Sequence, residues 1–300
     1  MKLEEQLKTA LDETRMQMLG VQILFGFQFQ SVFQSDFAAL TRQARIADAL
    51  ALALILFTLS LLIAPAAQHR LVEKGEATLR ICRVVRGFAN AALLPFALAL
   101  GCGAYIVLSV EAPRTAIAGG TFTAIAALFF WYGLSMTLRN KSLSKMARPT
   151  EEAATSIQTK IEQMLTEARV ILPGAQALLG FQFIAVLTNA FRELSAFDRI
   201  MHFTALAAIM LTVMLLLAPA AIHRLAFDGR DDDAFHRLGS RIVTIALIPL
   251  AAGLSCDSYV ALHGMLENSS VAGLGAVLIA LLLSILWYGV PLVIRRRLRP

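Results

Sequence analysis

The sequence predicts an all-α, polytopic membrane protein built from two copies of one four-helix unit. Of its 300 residues, 57% are hydrophobic and only 16% are charged, where soluble domains average about 45–50% and about 25%. Apolar runs of roughly 20 residues recur along the chain, long enough to cross a hydrocarbon core about 30 Å thick. A long motif also occurs twice. These three observations predict a duplicated membrane protein.

The repeat is centred on Gly-Phe-Gln-Phe, which begins at Gly26 and returns at Gly180, an offset of 154. The two copies also agree on either side of this motif, at Glu13 and Glu167, Arg15 and Arg169, Gln22 and Gln176, His69 and His223, and Arg70 and Arg224. A period this long indicates a duplicated domain and not a solenoid. We therefore predict a first membrane repeat at residues 1–138, a cytoplasmic linker at 139–154 and a second repeat at 155–300.

Eight spans follow in chain order. In the first repeat they cover about residues 16–37, 46–67, 84–110 and 115–138, and in the second about 170–190, 200–221, 242–266 and 271–294. The charged segment before the first span is predicted to be a helix along the membrane surface. Strands are not expected, because no segment alternates steadily and lipid does not tolerate open sheet edges.

The distribution of Lys and Arg predicts the orientation. With both termini inside, 22 of the 27 basic residues fall on the inner side, and the outer loops hold Arg42, Arg45, Arg114, Arg192 and Arg199. This is a strong positive-inside bias and predicts cytoplasmic termini. Four spans per repeat is an even number, so both copies insert the same way up, as a parallel repeat with a pseudo-twofold axis along the membrane normal. The basic residues also fit contacts with anionic lipid at the inner face. They form no single patch that would predict a nucleic-acid partner.

The repeated motif resembles a known family. Glu13-Thr14-Arg15, then residues 20–27, then residues 64–71, are similar to a family of small bacterial four-span membrane proteins catalogued only as a domain of unknown function. Members usually carry one copy, whereas here two copies cover nearly the whole chain. The resemblance implies a bacterial inner-membrane protein, and it implies no activity.

The first span of each repeat carries a polar stripe. At 100° per residue, Gln22 and Gly26 share a narrow arc of one helix, and Gln176 and Gly180 share the same arc of its copy. A stripe of this kind should face protein, because small residues allow close helix approach and amides bond across the contact. It predicts a helix–helix seam or, alternatively, the polar lining of a path between the repeats.

Gln28 and Gln182 lie on a different face from that stripe. They are candidates for a second helix contact or for the same path.

A charged cluster is predicted at the inner mouth of each repeat. It comprises Glu13, Arg15, His69 and Arg70 in the first copy, and Glu167, Arg169, His223 and Arg224 in the second. Residues two apart on a helix do not face each other, so we expect Glu13 to lie near Arg70 and Glu167 near Arg224. The cluster is interpreted as a structural clamp, with a proton- or ion-handling site and plain solvated charges as alternatives.

Three further polar residues lie within the spans. Asp257 has no counterpart, since Gly103 stands at the equivalent position, and ionisable groups in lipid are functional candidates. If the seventh span ends near it, Asp257 lies instead at the outer interface. Asp48 and His202 are equivalent residues near the outer ends of their spans, where they could meet across the axis.

No motif predicts an enzyme, a metal site or a cofactor, because nucleotide-binding, metalloprotease and serine-hydrolase signatures are all missing. The duplication and the amide stripes favour a channel or transporter-like protein for a small ion or solute at the interface of the repeats. The alternative is a non-transporting membrane scaffold or sensor that binds a partner protein or lipid. Self-association into a homo-oligomer is compatible with the sequence.

Overall fold

The computed structural model describes residues 3–133, 155–226 and 233–297. The first repeat contains α1 (Leu3–Ser31), α2 (Arg42–Leu71), α3 (Leu79–Glu111) and α4 (Ala116–Leu128). The second contains α5 (Ile157–Val186), α6 (Ala196–Ala226), α7 (Asp233–Leu266) and α8 (Ser269–Ser284). Short helical turns at Ser35–Ala39 and Asn189–Glu193 lie in the first connection of each repeat. No strand occurs in these three stretches, and the predicted linker 139–154 lies outside them.

Polar residues mark where several helices begin. The side chains of Thr41, Thr78, Ser156 and Asn268 each accept a hydrogen bond from a backbone N–H three residues later, at the starts of α2, α3, α5 and α8. These bonds satisfy N–H groups that have no partner inside the helix.

Six helices are long and apolar enough to cross a membrane in the described part of the chain: α2, α3, α5, α6, α7, and α8 with its continuation to Arg297. The sequence predicted eight spans. α1 is not among the six because its first half is charged, and the described part of α4 is a shorter apolar helix. Many large apolar side chains point outward, including Ile117, Phe122 and Leu274. Such a surface suits lipid, not water.

The two repeats share one hydrophobic core, and α2 lies deep within it. In its most apolar window 61% of α2 is buried, whereas the equivalent window of α6 is 28% buried. α2 contacts the second repeat at several levels. Arg45 pairs with Glu267, the Trp287 indole donates to the Ser60 carbonyl at 3.2 Å, and Arg70 pairs with Glu167. The second repeat therefore contacts α2 along its length, in addition to the helices of its own repeat.

The equivalent helices α1 and α5 run in the same direction where they pack. Gln22 lies against Gly174, and one turn further on Gly26 lies against the ring of Phe181. Residue numbers rise together along this contact, so the first helices of the two repeats point the same way.

The repeated Trp-Tyr-Gly sequence forms a π-helical turn in both repeats, at Phe129–Gly133 and Ile285–Gly289. The Tyr132 hydroxyl donates to the carbonyl of Asn90, and the Tyr288 hydroxyl donates to the carbonyl of Thr244 at 2.5 Å. Each carbonyl lies five residues before the proline inside its helix, next to the carbonyl four residues before the proline, which loses its helical hydrogen bond. The tyrosines thus supply donors near the proline bends.

Candidate functional site

Three buried charged or titratable side chains meet at one end of the molecule, which we call the inner end after the orientation that the sequence predicts. Glu167 on α5 accepts a hydrogen bond from Arg70 and lies 2.9 Å from His69 Nδ1, both at the end of α2. Each of the three side chains is about 3% exposed. We call His69, Arg70 and Glu167 the inner clamp. The clamp joins α2 of the first repeat to α5 of the second, and loss of one partner would leave an uncompensated buried charge at this contact.

The inner clamp corrects the predicted pairing. Arg70 pairs with Glu167 of the other repeat and not with Glu13, which is exposed. The reason is the depth of α2 in the second repeat, which places its last turn against α5. Glu167 was expected beside Arg224, whose side chain lies outside the described part of the structure.

Three other residues of the predicted inner cluster do not join the clamp. Arg15 and Arg169 are exposed on α1 and α5. His223 is half-buried and stacks on Phe235, with ring centroids 4.6 Å apart. His69 and its copy His223 therefore have different surroundings.

A second set of contacts fastens the α2–α3 connection to the start of α5. Glu76 accepts a hydrogen bond from Lys160 and another from the Thr155 backbone N–H at 3.0 Å, while the Thr155 hydroxyl accepts from the Ala77 N–H at 2.9 Å. Burial raises the pKa of Glu76, but the hydrogen bonds from Lys160 and Thr155 outweigh it and hold the pKa below its usual value. This connection also joins the first repeat to the second.

The predicted polar stripe lies partly in the seam between α1 and α5. The Gln22 amide donates to the Ile171 carbonyl at 3.4 Å, and Gly26 is buried against α5. Their copies differ, because Gln176 is exposed and Gly180 has open space where a Cβ would be. Beside Gln22 lies a void of only about 10 Å³, too small for a solvated path.

Gln28 and Gln182 each bind a carboxylate, but on different helices. Gln28 donates to Asp48 on α2, and Ser31 donates to the same carboxylate at 2.8 Å. Gln182 donates to Asp257 on α7 at 2.7 Å. Both pairs lie within their own repeat.

His202 forms its hydrogen bond within its own repeat, although its ring also stacks on Phe29 of the first repeat, with centroids 6.1 Å apart. Its Nε2 bonds the backbone carbonyl of Gln182 at 3.2 Å. Asp48 and His202 thus each bond within their own repeat, to Gln28 and Gln182 respectively.

A basic groove of about 470 Å³ opens at the inner end, between the end of α2, the start of α7 and the segment after α8. Its basic residues are Arg70, Lys74, His236, Arg237, Arg241 and Arg295. No carboxylate lines this groove in the described part of the chain. Leu71 and Ile245 give it an apolar side. Because Arg70 is paired with Glu167, the positive charge of the groove comes mainly from Lys74, Arg237, Arg241 and Arg295. Positive charge beside a hydrocarbon surface suits an anion attached to an apolar chain.

The other large groove has a different character. It measures about 510 Å³ and lies between the inner ends of α1 and α5. Lys8 and Arg169 line it together with Asp12 and Glu162. The charges balance, so this groove has no preference for one sign of ligand.

Sequence reasoning missed the basic groove. Its arginines stand in separate parts of the sequence, where they were interpreted as orientation signals and as general contacts with anionic lipid, not as one site. Nothing in one sequence indicates that the end of α2, the start of α7 and the C-terminal segment meet.

The helices, the exposed apolar faces and the repeated motif define the class: an all-α protein with an internal repeat, whose apolar helices are compatible with a membrane. Within that class, the chain belongs to a family of unknown function (DUF6328), which matches it twice, over residues 1–135 and 150–291. The two matches confirm the predicted resemblance and the tandem duplication. No curated protein and no solved structure matches the chain.

Proposed function

We propose that this chain is an eight-span protein of the bacterial inner membrane that holds an anionic lipid headgroup in the basic groove at its inner face. Both repeats share one orientation and both termini are cytoplasmic. The protein acts as a non-transporting scaffold or sensor and not as an enzyme. The parallel packing of α1 and α5 and the concentration of basic residues at one end support this arrangement.

The observation that carries the proposal is the unsatisfied guanidinium of Arg70. One of its nitrogens donates to Glu167, while Nε and Nη2 are buried without a partner in the described structure. Arg295 Nε, which belongs to the same groove, is also buried without one. Buried donors normally have acceptors. A phosphate group offers several charged oxygens and suits arginine geometry well.

The apolar side of the groove favours lipid over a soluble phosphate. Ile245 in the groove and Ile248 one turn further along α7 are each more than half exposed. They continue from the basic groove toward the middle of the membrane. An acyl chain can lie along this face while its headgroup binds the arginines.

A transport path between the repeats has less support. Beyond the groove of about 510 Å³ at one end of the α1–α5 seam, two voids further along it measure about 20 and 10 Å³. A single water needs roughly 10–15 Å³ of such space. These two voids therefore lack room for a hydrated ion.

Two matched double variants test the proposal. Arg237→Gln/Arg241→Gln removes two charges from the groove, and Arg83→Gln/Arg86→Gln removes two exposed charges from α3, the equivalent helix. Both lower the net charge equally. Binding of phosphatidylglycerol, phosphatidylcholine and soluble glycerol phosphate is measured for each detergent-solubilised full chain by native mass spectrometry and by the thermal shift.

We expect phosphatidylglycerol to bind and stabilise the wild type more than phosphatidylcholine does. The groove variant should lose about tenfold or more in affinity, since a charge-assisted hydrogen bond contributes about 1.5–3 kcal/mol, and the α3 variant should retain it. Equal losses of phosphatidylglycerol affinity in the two variants would contradict lipid binding in the groove. If glycerol phosphate stabilises the wild type as much as phosphatidylglycerol does, the ligand of the groove is a soluble phosphate compound instead.

A further inference from the structure

Asp257 is a fully buried carboxyl in the interior of α7. Its side chain is 0% exposed. The helix continues for nine more residues to Leu266, about 14 Å at 1.5 Å per residue. Asp257 therefore lies more than two turns inside the helix and not at its end.

The polar partners of Asp257 are incomplete. Oδ2 accepts a hydrogen bond from Gln182 Nε2 at 2.7 Å. Oδ1 has no partner, and neither does the amide oxygen of Gln182, which is also 0% exposed. The Asp257–Gln182 pair therefore contains two buried oxygen acceptors that receive no hydrogen bond.

No positive charge compensates this carboxyl in the described part of the chain. No Lys, Arg or His forms an ion pair with it. Toward the outer end, His263 on α7 is paired with Asp198 on α6 at 2.8 Å, and Arg45 on α2 is paired with Glu267. The α8 stretch Ser269–Ser284 contains no charged residue.

The other titratable side chains near Asp257 and Gln182 supply no positive charge. His202 on α6 donates through Nε2 to the Gln182 carbonyl, which can only accept, so Nε2 carries a hydrogen. His202 Nδ1 is buried without a partner, as expected for the neutral tautomer. The aromatic rings of Phe29 and Phe191 enclose this imidazole. Cys256, next to Asp257 on α7, is a free thiol.

We propose that Asp257 is a proton-binding site inside the membrane-spanning bundle, and that its carboxyl carries a proton on Oδ1 at neutral pH. The carboxylate takes the proton from water and becomes a neutral acid. The new O–H donates to the Gln182 amide oxygen, while the Gln182 amide nitrogen continues to donate to Oδ2. One hydrogen thus satisfies both orphaned acceptors and removes an uncompensated charge from a dry site. This site is independent of the basic groove.

Infrared spectroscopy of the purified full chain tests the proposal. The C=O stretch of a neutral carboxylic acid is separate from the carboxylate bands, and aspartate labelled with ¹³C at its carboxyl identifies the residue type. Spectra are compared at neutral pH for the wild type, Asp257→Asn and the matched control Asp48→Asn. Asp48 is the other carboxylate that binds a repeated glutamine.

We expect a labelled neutral-acid band in the wild type and in Asp48→Asn, and its loss in Asp257→Asn. A wild type without this band at neutral pH, or a band unchanged in Asp257→Asn, overturns the proposal. Asparagine reproduces the neutral acid, because its amide can donate to Gln182 Oε1. Asp257→Asn should therefore fold with the thermal stability of the wild type, and a variant that fails to fold also contradicts the proposal.

Discussion

The helices α2 and α6 carry the same motif in different surroundings. Both end in Ala-Pro-Ala-Ala followed by His-Arg-Leu, at residues 64–71 and 218–225. α2 packs between its own repeat and the second repeat, and its His69 and Arg70 are buried against Glu167. α6 lies at the outside, where His223 is only half-buried. After duplication, equal sequences therefore acquired unequal neighbours.

The glycines of α1 and α5 show the same inequality. Gly26 and Gly174 lie in the seam, where an added Cβ would meet Phe181 or Gln22 at 2.3 Å or less. Their copies, Gly180 and Gly20, have nothing within 4 Å. A strict twofold axis would require Gly180 and Gly20 to make the same contacts as Gly26 and Gly174. They do not. The repeats are thus packed with a stagger, and each copy of a motif has its own role.

The largest expected effect separates Glu167 from its copy Glu13. Glu167→Gln leaves Arg70 buried without its counter-charge, which costs roughly 3–5 kcal/mol. Glu13→Gln changes an exposed side chain and should stay within about 0.5 kcal/mol. Unfolding by sodium dodecyl sulfate in mixed micelles measures both.

A double variant sharpens this comparison. Arg70→Leu/Glu167→Leu removes both charges, so it should be less destabilising than the sum of the two single changes. Similar losses of stability in Glu167→Gln and Glu13→Gln would contradict the structure, because they would mean that Glu13 and Glu167 contribute equally to the contact between the repeats.

The sequence predicted what depends on local pattern. Helical structure and the duplication follow from hydropathy and periodicity along the chain. The same periodicity predicted that both polar stripes face protein, which is right for Gln22 and Gly26 but wrong for Gln176, which is exposed. The partner of Arg70 depends on how two similar units pack. Identical motifs do not distinguish a symmetric arrangement from a staggered one, so the sequence paired Arg70 with Glu13 of its own repeat.

An intermediate effect is expected at the seam glycines. Gly174→Ala forces Gln22 to move, because its Cδ would lie 2.0 Å from the new Cβ, and overpacking of this kind costs about 1–3 kcal/mol. Gly20→Ala adds a methyl in open space and should be neutral or stabilise the helix by up to about 1 kcal/mol. Thermal unfolding of both variants in the same detergent measures the difference. Equal stability would mean that the α1–α5 seam is looser than described.

The smallest effect concerns Glu76, whose position in the second repeat is occupied by Arg230. Glu76→Gln removes the ion pair with Lys160, which is partly exposed and screened by solvent, so the loss should be below about 1 kcal/mol. The folded-state pKa of Glu76 lies below its ordinary value of 4.5. The pair therefore stabilises the fold fully above about pH 4.5, and this stability is lost as the pH falls through the lowered pKa. Unfolding of wild type and Glu76→Gln should differ at neutral pH and converge in acid. In a Lys160→Met background the neutral-pH difference should shrink, and a difference that instead grows in acid would contradict the fastening role of Glu76.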